Sequence, residues 1–550
     1  MKEFIRFINT VRYLKFKQII YRIYYRFHKI QPYTKPVPNL RYMLVDWNAP
    51  SFNEPATLDG KTFTFLGETV KLDNDWNSPD YSKLWLYNLH YQDDLNAIGA
   101  EERHDLCKHL VDRWVAFNPP LIGNGWEPYC ISLRVVNWVK WLSHLDPNEI
   151  KFEWIDSLAS QVDALEQQIE YQILGNHLFA NAKALVFAGV FFGGQQGKDW
   201  LLKGTKLLEE ELMEQFLDDG GHYELSPMYH AILLWDIADL IFLEQSVDIT
   251  ELQQKSTLLK QRFISGLQWL QSMVHPDQDL SFFNDATLGI APTLSNLTNY
   301  ADHLLLKIPP ITSATQCHVK LLATSGYALI DWPGNHRLIA DVACVGPDYQ
   351  PGHAHADTLS CELSLFSQRV FVNSGISQYG KDAERHRQRS TAAHNTLLVD
   401  CTNSSEVWAG FRVARRAKPN GISVKQLEDS CILKAYHDGY YRLPGGVIHH
   451  RQWLAKALSL SITDELTGRY NEAVVYWHIH PEIEIVLLDN TSLELILPQG
   501  QIVRIYISGA NVEVHEGVWH PQFGQSVVNS KLVLKLSGYL LKTKIEWNSN

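Results

Sequence analysis

Residues 351–366 read PGHAHADTLSCELSLF, and the interpretation of the whole chain starts from this stretch. His353, His355 and Asp357 alternate, so an extended backbone would point all three side chains in one direction. A Pro-Gly pair signals a turn before them, and apolar and polar residues alternate after them as in a half-buried strand. The stretch predicts three polar, metal-competent side chains at the start of a β-strand. The alternative is a solvated loop that contains two histidines by chance.

A second polar cluster, AHNT at residues 393–396, contains His394 and leads into the apolar run 397–399. Two such clusters in one region favour a built site over chance. After residue 310 short alternating segments recur, for example at 337–342 and 474–479. Their spacing is typical of an antiparallel β-sandwich.

Between about residues 81 and 310 the apolar spacing is helical instead, as in Leu158, Val162 and Leu165. Long helices joined by polar loops indicate a helical toroid or bundle. A chain of 550 residues is too long for one typical core. We therefore predict a multidomain protein, α then β, divided into three regions: a helical arm with an irregular lead-in at 1–80, a toroid at 81–315 and a β-sandwich at 316–550.

The formal net charge is −12 and there is no long basic run, which argues against nucleic acid as a partner. An acidic polysaccharide is still compatible, because a cleft can be locally basic on an acidic protein. The chain has 17 Trp and 24 Tyr, a weak indication of carbohydrate binding. Its seven cysteines include no Cys-x-x-Cys pair, which predicts reduced thiols and a cytoplasmic location.

Residues 1–30 are basic and aromatic, without the apolar core of a secretory signal. No stretch of the sequence reaches the ~20 apolar residues that a membrane-spanning helix needs. We predict helix here. It either packs on its own protein, the simpler interpretation, or makes peripheral contact with a membrane surface.

Two motifs in the helical half contain chemically useful side chains. Asn176-His177 opens an apolar segment in which His177 and Asn181 would share a helix face, although a capping role explains this equally well. Residues 219–230, DGGHYELSPMYH, gather Asp, Glu, His and Tyr around a helix predicted to start at Ser226-Pro227. So many titratable groups favour function over loop structure.

Taken together, the motifs at 176–177, 220–230, 353–357 and 394–396 resemble the heparinase II/III and alginate lyase superfamily. Their order and spacing match over roughly residues 120–400. The resemblance implies an N-terminal (α/α) toroid, a C-terminal antiparallel β-sandwich and β-elimination on a uronate-containing acidic polysaccharide. The chain is most similar in character to members found with bacterial surface-polysaccharide genes.

A lyase removes the C5 proton of a uronate and expels the O4-linked sugar, so it needs donors at the carboxylate, a base and an acid. The resemblance implies that Asn176 neutralises the carboxylate and that Tyr229 is the acid, or both acid and base. The base is His177 or His353. Substrate contacts are expected from eight further residues: Trp126, Arg134, His222, Tyr223, Glu224, His230, Tyr379 and Arg389.

In relatives, two histidines and a strand-borne aspartate hold zinc. The matching positions here are His355, His394 and, eighteen residues after His355, Asn373. Loss of the aspartate's charge should weaken metal binding. Asp357 is an alternative third ligand, and a metal-free hydrogen-bonded cluster also fits. In either case His355 and His394 should approach closely enough to share a metal ion or a water.

Two other functions compete with a lyase. A non-catalytic glycan-binding or assembly protein would keep the cleft without the chemistry, and Asn373 slightly favours that interpretation. A glycoside hydrolase would need two carboxylates beside one bond, for which Glu224 with Asp219 or Asp285 can be nominated. The product distinguishes these functions, because only a lyase leaves a 4,5-unsaturated uronate.

Overall fold

The computed structural model describes residues 2–41, 47–310 and 314–548, with helices mainly in the first part and strands mainly in the second. The predicted order, α then antiparallel β, is confirmed. The α-helices are α1 (Lys2–Val11), α2 (Phe16–Phe27), α3 (Lys83–Tyr91), α4 (His104–Phe117), α5 (Pro128–Leu142), α6 (Phe152–Gln167), α7 (Gly175–Phe191), α8 (Gly194–Gln215), α9 (Pro227–Ser246), α10 (Thr250–Gln253), α11 (Ser256–Ser272), α12 (Leu294–His303) and α13 (Ala383–Gln388).

Helix α7 lies at the centre of the helical toroid. All of its residues except His177 are buried, because the segment is apolar on every face. It packs closely on α8 through two glycines: a Cβ atom on Gly189 would lie 2.5 Å from the backbone nitrogen of Leu201, and one on Gly204 would lie 2.7 Å from that of Val186. His177 in its first turn is half-buried and is the one residue of α7 that is not buried.

Most strands follow α12. In chain order they are β1 (Thr62–Phe65), β2 (Glu68–Lys71), β3 (His318–Leu322), β4 (Tyr327–Trp332), β5 (His336–Asp341), β6 (Cys361–Leu365), β7 (Gln368–Phe371), β8 (Leu397–Val399), β9 (Val407–Trp408), β10 (Arg412–Val413), β11 (Pro419–Gln426), β12 (Ser430–His437), β13 (Ile448–Lys456), β14 (Ser459–Thr467), β15 (Ala473–His478), β16 (Glu484–Asp489), β17 (Ser492–Ile496), β18 (Ile502–Ser508), β19 (Ala510–Trp519), β20 (Val527–Leu536) and β21 (Leu540–Trp547).

The C-terminal strands form three larger antiparallel sheets. Their orders are β3-β4-β5-β6-β7, β19-β20-β15-β8 and β11-β12-β13-β14-β21-β18-β17-β16. Side chains from all three sheets, including Leu363, Trp453 and Trp477, share one buried core. Inward and outward residues alternate along β13, as one-sided burial requires.

Two local predictions were wrong. The lead-in predicted to be irregular contains the antiparallel hairpin β1–β2. Residues 353–357 form a loop before β6 rather than the start of the strand itself. Their side chains nevertheless lie close together, because the loop packs on the segment between α11 and α12. The backbone nitrogen of Asp285 donates to the carbonyl of His353 at 3.0 Å.

A buried carboxylate also joins the two halves. Glu362 on β6 accepts a hydrogen bond from His275 at 2.9 Å and backbone hydrogen bonds from Phe282 and Asn373. These bonds fix the toroid against the five-stranded sheet. Among the described helices, none is both long and apolar enough to cross a membrane.

Candidate active site

A cleft of about 1230 Å³ lies between the toroid and the sheets. Five of the predicted site residues line it: Asn176, His177, Tyr229, His353 and Tyr379. They come from helices α7 and α9 and from two loops of the β region. The structure thus brings together side chains that are up to about 200 residues apart in sequence.

The toroid side of the cleft depends on the start of α7. Gly175 has a φ of +62°, and a Cβ atom there would lie 2.5 Å from Glu224 Oε1, so the position requires glycine. The turn places Asn176 and His177 at the mouth of the cleft. Asn176 Oδ1 is buried and has no hydrogen-bond donor among the described residues. A buried acceptor without a partner is unusual and marks this amide as part of a site.

His177 is oriented by a carboxylate and an aromatic ring. Its Nδ1 lies 2.8 Å from Glu170 Oε1, and its ring packs on Tyr129 with centroids 4.3 Å apart. Asn181 donates to the other Glu170 oxygen, so the predicted i, i+4 pair meets through this acid. Burial opposes protonation of His177, but the charge and hydrogen bond of Glu170, with Glu224 adding, outweigh it and raise its pKa.

Tyr229 lies in the first turn of α9, as predicted. Pro227 occupies the first helical position, and Ser226 Oγ caps the helix by accepting from the Tyr229 nitrogen at 3.2 Å. The Tyr229 hydroxyl lies 2.9 Å from that of Tyr379, and its ring packs against that of His353 with centroids 3.9 Å apart and planes tilted by 31°. Burial, with the charge of Asp285 adding, holds the pKa of Tyr229 well above its usual value. The hydroxyl therefore keeps its proton at neutral pH.

Asp285, beneath the cleft, binds three side chains of the site. It is fully buried and accepts from His353 Nδ1 and His355 Nε2, each at 2.8 Å. Arg385 binds it in a bidentate pair at 2.5 and 2.7 Å. Burial would raise the pKa of Asp285, but Arg385 and the two histidine hydrogen bonds hold it well below its usual range. The ionised carboxylate fixes the orientation of both imidazoles.

Glu224 lies behind His353. Its Oε2 atom is 3.4 Å from His353 Nε2, close enough for an ion pair but without hydrogen-bond geometry. Burial raises the pKa of Glu224 despite the opposing effect of His353. His353 is therefore bounded by one firmly ionised carboxylate and one that is easily protonated.

His355 and His394 meet as predicted, with Nδ1 of the first 3.0 Å from Nε2 of the second. Their other nitrogens face acceptors, Asp285 and the Ser390 carbonyl, which assigns the protons to those positions. Two lone pairs then face each other, an arrangement that a shared cation would relieve. With Asp357, these residues form a buried group whose ligand atoms lie within 4.8 Å of one another, so the set could hold a metal ion.

Asn373 does not contribute to this group. Its Oδ1 accepts from the Asn395 nitrogen at 3.1 Å, and its Nδ2 donates to the Phe282 carbonyl at 2.9 Å. Both ends of the amide are used to tie loops together. The structure places Asp357 beside the two histidines, where the motif comparison had placed Asn373.

Seven predicted substrate contacts lie outside the cleft lining in the part of the chain that the structure describes. Arg134 is completely buried and donates to Gln161, to the His90 carbonyl and to the Gly125 carbonyl. Arg389 is equally buried and donates to backbone carbonyls. Burial lowers the pKa of each arginine to about 9. Both arginines hold loops in place.

The other five residues outside the lining also make contacts within the protein. Trp126 donates to a backbone carbonyl, and His222 donates its backbone nitrogen to His230 Nδ1 at 3.1 Å. Burial lowers the pKa of His230 to about 4, so it stays neutral. Tyr223 is buried, and Glu224 contacts the site through His353 and through the backbone nitrogen of Asn176, which donates to it at 3.3 Å. Residue type predicted a titratable cluster correctly but could not give the direction of each side chain.

Sequence reasoning missed the partners that orient the site. Glu170 lies seven residues before His177 across a turn, a spacing without any periodic signal. Asp285 was considered as a carboxylate of a hydrolase, and nothing in the sequence pairs it with Arg385, a hundred positions away. Lys183, which lines the cleft on α7 and pairs with acids of α9, was also overlooked.

This architecture defines a class of protein: a helical toroid followed by antiparallel sheets, with a Tyr- and His-lined cleft between them. Family models match both halves of the chain. The model of the heparinase II/III N-terminus matches residues 121–305, and that of the heparinase II/III-like C-terminal part matches 315–548. The chain belongs to the heparinase II/III family, as the motif resemblance predicted.

The chain is similar to proteins named heparin-sulfate lyase. It is 27% identical to one from Bacteroides thetaiotaomicron over 56% of this chain and 49% of that protein, and 25% identical to one from Bacteroides stercoris over 42% and 37%. The chain thus spans half or less of the length of these relatives. Among solved structures, heparinase III superposes with a TM-score of 0.70 at 16% identity, covering 97% of this chain and 90% of that one. This similarity supports the fold.

Proposed function

We propose that the protein is a polysaccharide lyase that cleaves a uronate-containing acidic polysaccharide, with bacterial surface glycans as the first candidates, by β-elimination. The observation that carries this proposal is the meeting of Asn176, His177, Tyr229, His353 and Tyr379 at one cleft. Carboxylate donors, a base and an acid are then all within one site. The heparin-sulfate lyases among the relatives support the same class of reaction.

Neutralisation of the substrate carboxylate falls to Asn176 and His177. Their helix start faces the cleft, and the raised pKa of His177 favours the imidazolium, which can pair with a uronate carboxylate. Lowering the charge on that carboxylate makes the C5 proton more acidic and stabilises the carbanion-like transition state.

His353 is the proposed base. Its Nδ1 proton is donated to Asp285, so Nε2 keeps the lone pair that takes the C5 proton. The imidazolium formed in this step lies between Asp285 at 2.8 Å and Glu224 at 3.4 Å. The ionised Asp285 carboxylate therefore stabilises the charge that develops during the reaction.

Tyr229 is the proposed acid. It retains its proton in the buried site, and protonation of the leaving O4 oxygen leaves a phenolate. The Tyr379 hydroxyl at 2.9 Å can donate a hydrogen bond to that phenolate. The Arg385 guanidinium, 5.0 Å from the centre of the Tyr379 ring, adds positive charge nearby.

We also propose that His355, Asp357 and His394 hold a structural zinc ion. When bound, the ion would join the 353–357 loop to the segment bearing His394 and thereby support the position of His353. Elemental analysis of the purified protein should find about one zinc per chain. The His394→Ala protein should lose it and melt at a lower temperature, whereas retention of metal by that variant would rule out this ligand set.

The charges of the cleft favour a substrate that carries carboxylates rather than dense sulfates. Among the described residues its lining includes no arginine, and four lysines are balanced by four acids: Lys83, Lys140, Lys183 and Lys381, with Asp93, Glu101, Asp236 and Asp239. Three of these lysines are already paired with carboxylates of the protein. A heavily sulfated chain would meet little unpaired positive charge there.

A panel of acidic polysaccharides tests the proposal. Unsulfated and sulfated uronate glycans, and bacterial capsular polysaccharides, are incubated with the protein while ultraviolet absorbance follows the unsaturated product. Absorbance that grows with time is expected for an unsulfated uronate glycan. New reducing ends without absorbance would indicate a hydrolase, although Asp219, Glu224 and Asp285 all lie outside the cleft lining. Binding without any product would indicate a glycan-binding protein.

A further inference from the structure

The two N-terminal helices have their apolar faces turned outward. On α2 the exposed stripe follows the spacing i, i+3, i+4, i+7, i+8, i+11 and consists of Phe16, Ile19, Ile20, Ile23, Tyr24 and Phe27. Phe16 and Phe27 are 76% and 78% exposed. On α1 the exposed apolar residues are Phe4, Ile5, Phe7 and Ile8. A helix that served only to cover its own protein would bury such a stripe.

Polar and aromatic contacts hold the opposite face against the body of the protein. Gln18 is 2% exposed and donates to the Tyr349 carbonyl, and the Tyr25 hydroxyl donates to the Ile169 carbonyl at 2.7 Å. On α1, Thr10 accepts from the Trp408 indole at 3.1 Å. These bonds pack one face of each helix on the body of the protein, as the simpler interpretation predicts, and leave the apolar stripes facing outward.

Charge is divided sharply along the chain. Residues 1–30 contain eight lysines and arginines and one acid, Glu3, whereas the remainder contains 41 basic and 60 acidic residues. Several of these cations are exposed beside the apolar stripes: Arg12, Arg22, Arg26 and Lys29. The N-terminal helices are thus a cationic, apolar surface on a strongly anionic protein.

We propose that the α1–α2 face, defined by the exposed apolar residues of both helices and these four cations, binds an anionic lipid surface. Interfacial helices have this composition, in which an apolar face enters the acyl boundary while lysines and arginines meet the headgroups. The cations complement anionic headgroups, and the acidic remainder of the protein is repelled by them. Among the described surfaces this is therefore the face expected to meet the membrane, which would also set the orientation of the bound protein.

Vesicle co-sedimentation of the full-length protein tests the proposal. Wild-type protein should sediment with vesicles of phosphatidylcholine containing phosphatidylglycerol, bind phosphatidylcholine alone far less, and dissociate in high salt. The triple variant Ile19→Ser, Ile23→Ser, Phe27→Ser should bind at least about tenfold more weakly. The matched control is Leu487→Ser, Leu488→Ser, Val528→Ser, which removes three exposed apolar side chains elsewhere, of similar mean exposure, and should bind like wild type.

Three results would overturn the proposal. Wild-type protein that stays in the supernatant with anionic vesicles would do so, as would equal binding by the two triple variants. The third is a concentration-dependent dimer in solution that the α2 variant abolishes, since the face would then join two copies of the chain. Unchanged circular dichroism of the α2 variant, whose substitutions are all on the exposed side, would confirm that it is folded.

Discussion

Two buried clusters in this molecule have the same composition, but only one of them reaches the cleft. In each, an arginine and at least one histidine hold an aspartate; Asp285 has two histidine partners and Asp464 has one. Asp285 has this role at the junction of the halves, and Asp464 has it among the sheets, where it accepts from His449 at 2.6 Å and from Arg451 at 2.7 Å. All of these carboxylates and guanidinium groups are fully buried.

The clusters differ in what lies next to their histidines. His449 Nδ1 faces His437 at 3.2 Å, and Arg451 donates to two backbone carbonyls, so this cluster is closed by the protein on every side. His353 instead forms part of the cleft wall beside Tyr229. Identical side chains therefore serve stability in one place and chemistry in the other, and access to substrate makes the difference.

The largest expected effect is a difference in kcat between Tyr→Phe variants of two tyrosines, one beside each cluster. Tyr229→Phe should fold, bind glycan and lose about 10²–10⁴-fold in kcat, the usual contribution of general acid catalysis. Tyr440, whose ring lies 5.3 Å from that of His437, donates to the Leu397 carbonyl. Tyr440→Phe should lose only stability, about 1 kcal/mol for one buried hydrogen bond.

Steady-state kinetics and thermal melts of both variants check this pair. Near-normal turnover by a well-folded Tyr229→Phe protein would remove that residue from the mechanism. If Tyr440→Phe lost turnover at unchanged stability, contact with the cleft would not be what makes one cluster catalytic and the other structural.

The next effect concerns the aspartates themselves. Asp464→Asn and Asp285→Asn each leave a buried arginine without its counter-charge, so each should lower the free energy of unfolding by about 3–5 kcal/mol. Only Asp285→Asn should also lower kcat of the surviving folded protein, because asparagine offers one uncharged acceptor oxygen where His353 and His355 now share two charged ones. Denaturant unfolding followed by assays at low temperature separates the two effects. Equal activity per folded molecule would contradict the proposed positioning role of Asp285.

A smaller effect is expected from His177, which belongs to neither cluster. Its folded-state pKa is raised, mainly because Glu170 outweighs burial. The stability from this pair is therefore fully present below the unfolded value of about 6.5 and is lost as pH rises through the folded pKa. Affinity for a uronate oligosaccharide should weaken over the same upward pH change.

His177→Gln should bind the oligosaccharide about tenfold more weakly at pH 6 and show a flatter pH profile, because it cannot form the imidazolium that pairs with the carboxylate. Titration calorimetry across pH 5–9 measures this, with His515→Gln, an exposed change on β19, as the control. An unchanged profile in His177→Gln would assign the pH dependence to another group.

The comparison of clusters also shows how far sequence reasoning reaches. Helix starts were predictable, because Ser226-Pro227 is a local capping signal. The approach of His355 to His394 was predictable only through the family's motif order. Arg134 was named as a candidate substrate contact, yet its guanidinium lies over the Trp114 ring, 3.8 Å from its centre, in a buried site. Burial is set by contacts between distant segments, and no local pattern encodes them.

The smallest effect concerns two lysines, each next to one cluster. Lys381 is exposed at the rim of the cleft and has no ion-pair partner among the described residues. Lys456 is exposed at the end of β13, the strand that also bears His449 and Arg451. An exposed ion pair contributes about 0.2–1 kcal/mol, so Lys381→Ala should raise KM for an acidic glycan by up to about fivefold and leave kcat unchanged. Lys456→Ala should change neither constant.

Salt dependence tests this prediction. Because salt screens exposed charges, the difference in KM between the two variants should disappear at high ionic strength. A difference in KM that persists in high salt would mean that Lys381 contacts the substrate away from solvent. Lys381 would then belong to the substrate-binding part of the cleft and not only to its exposed rim.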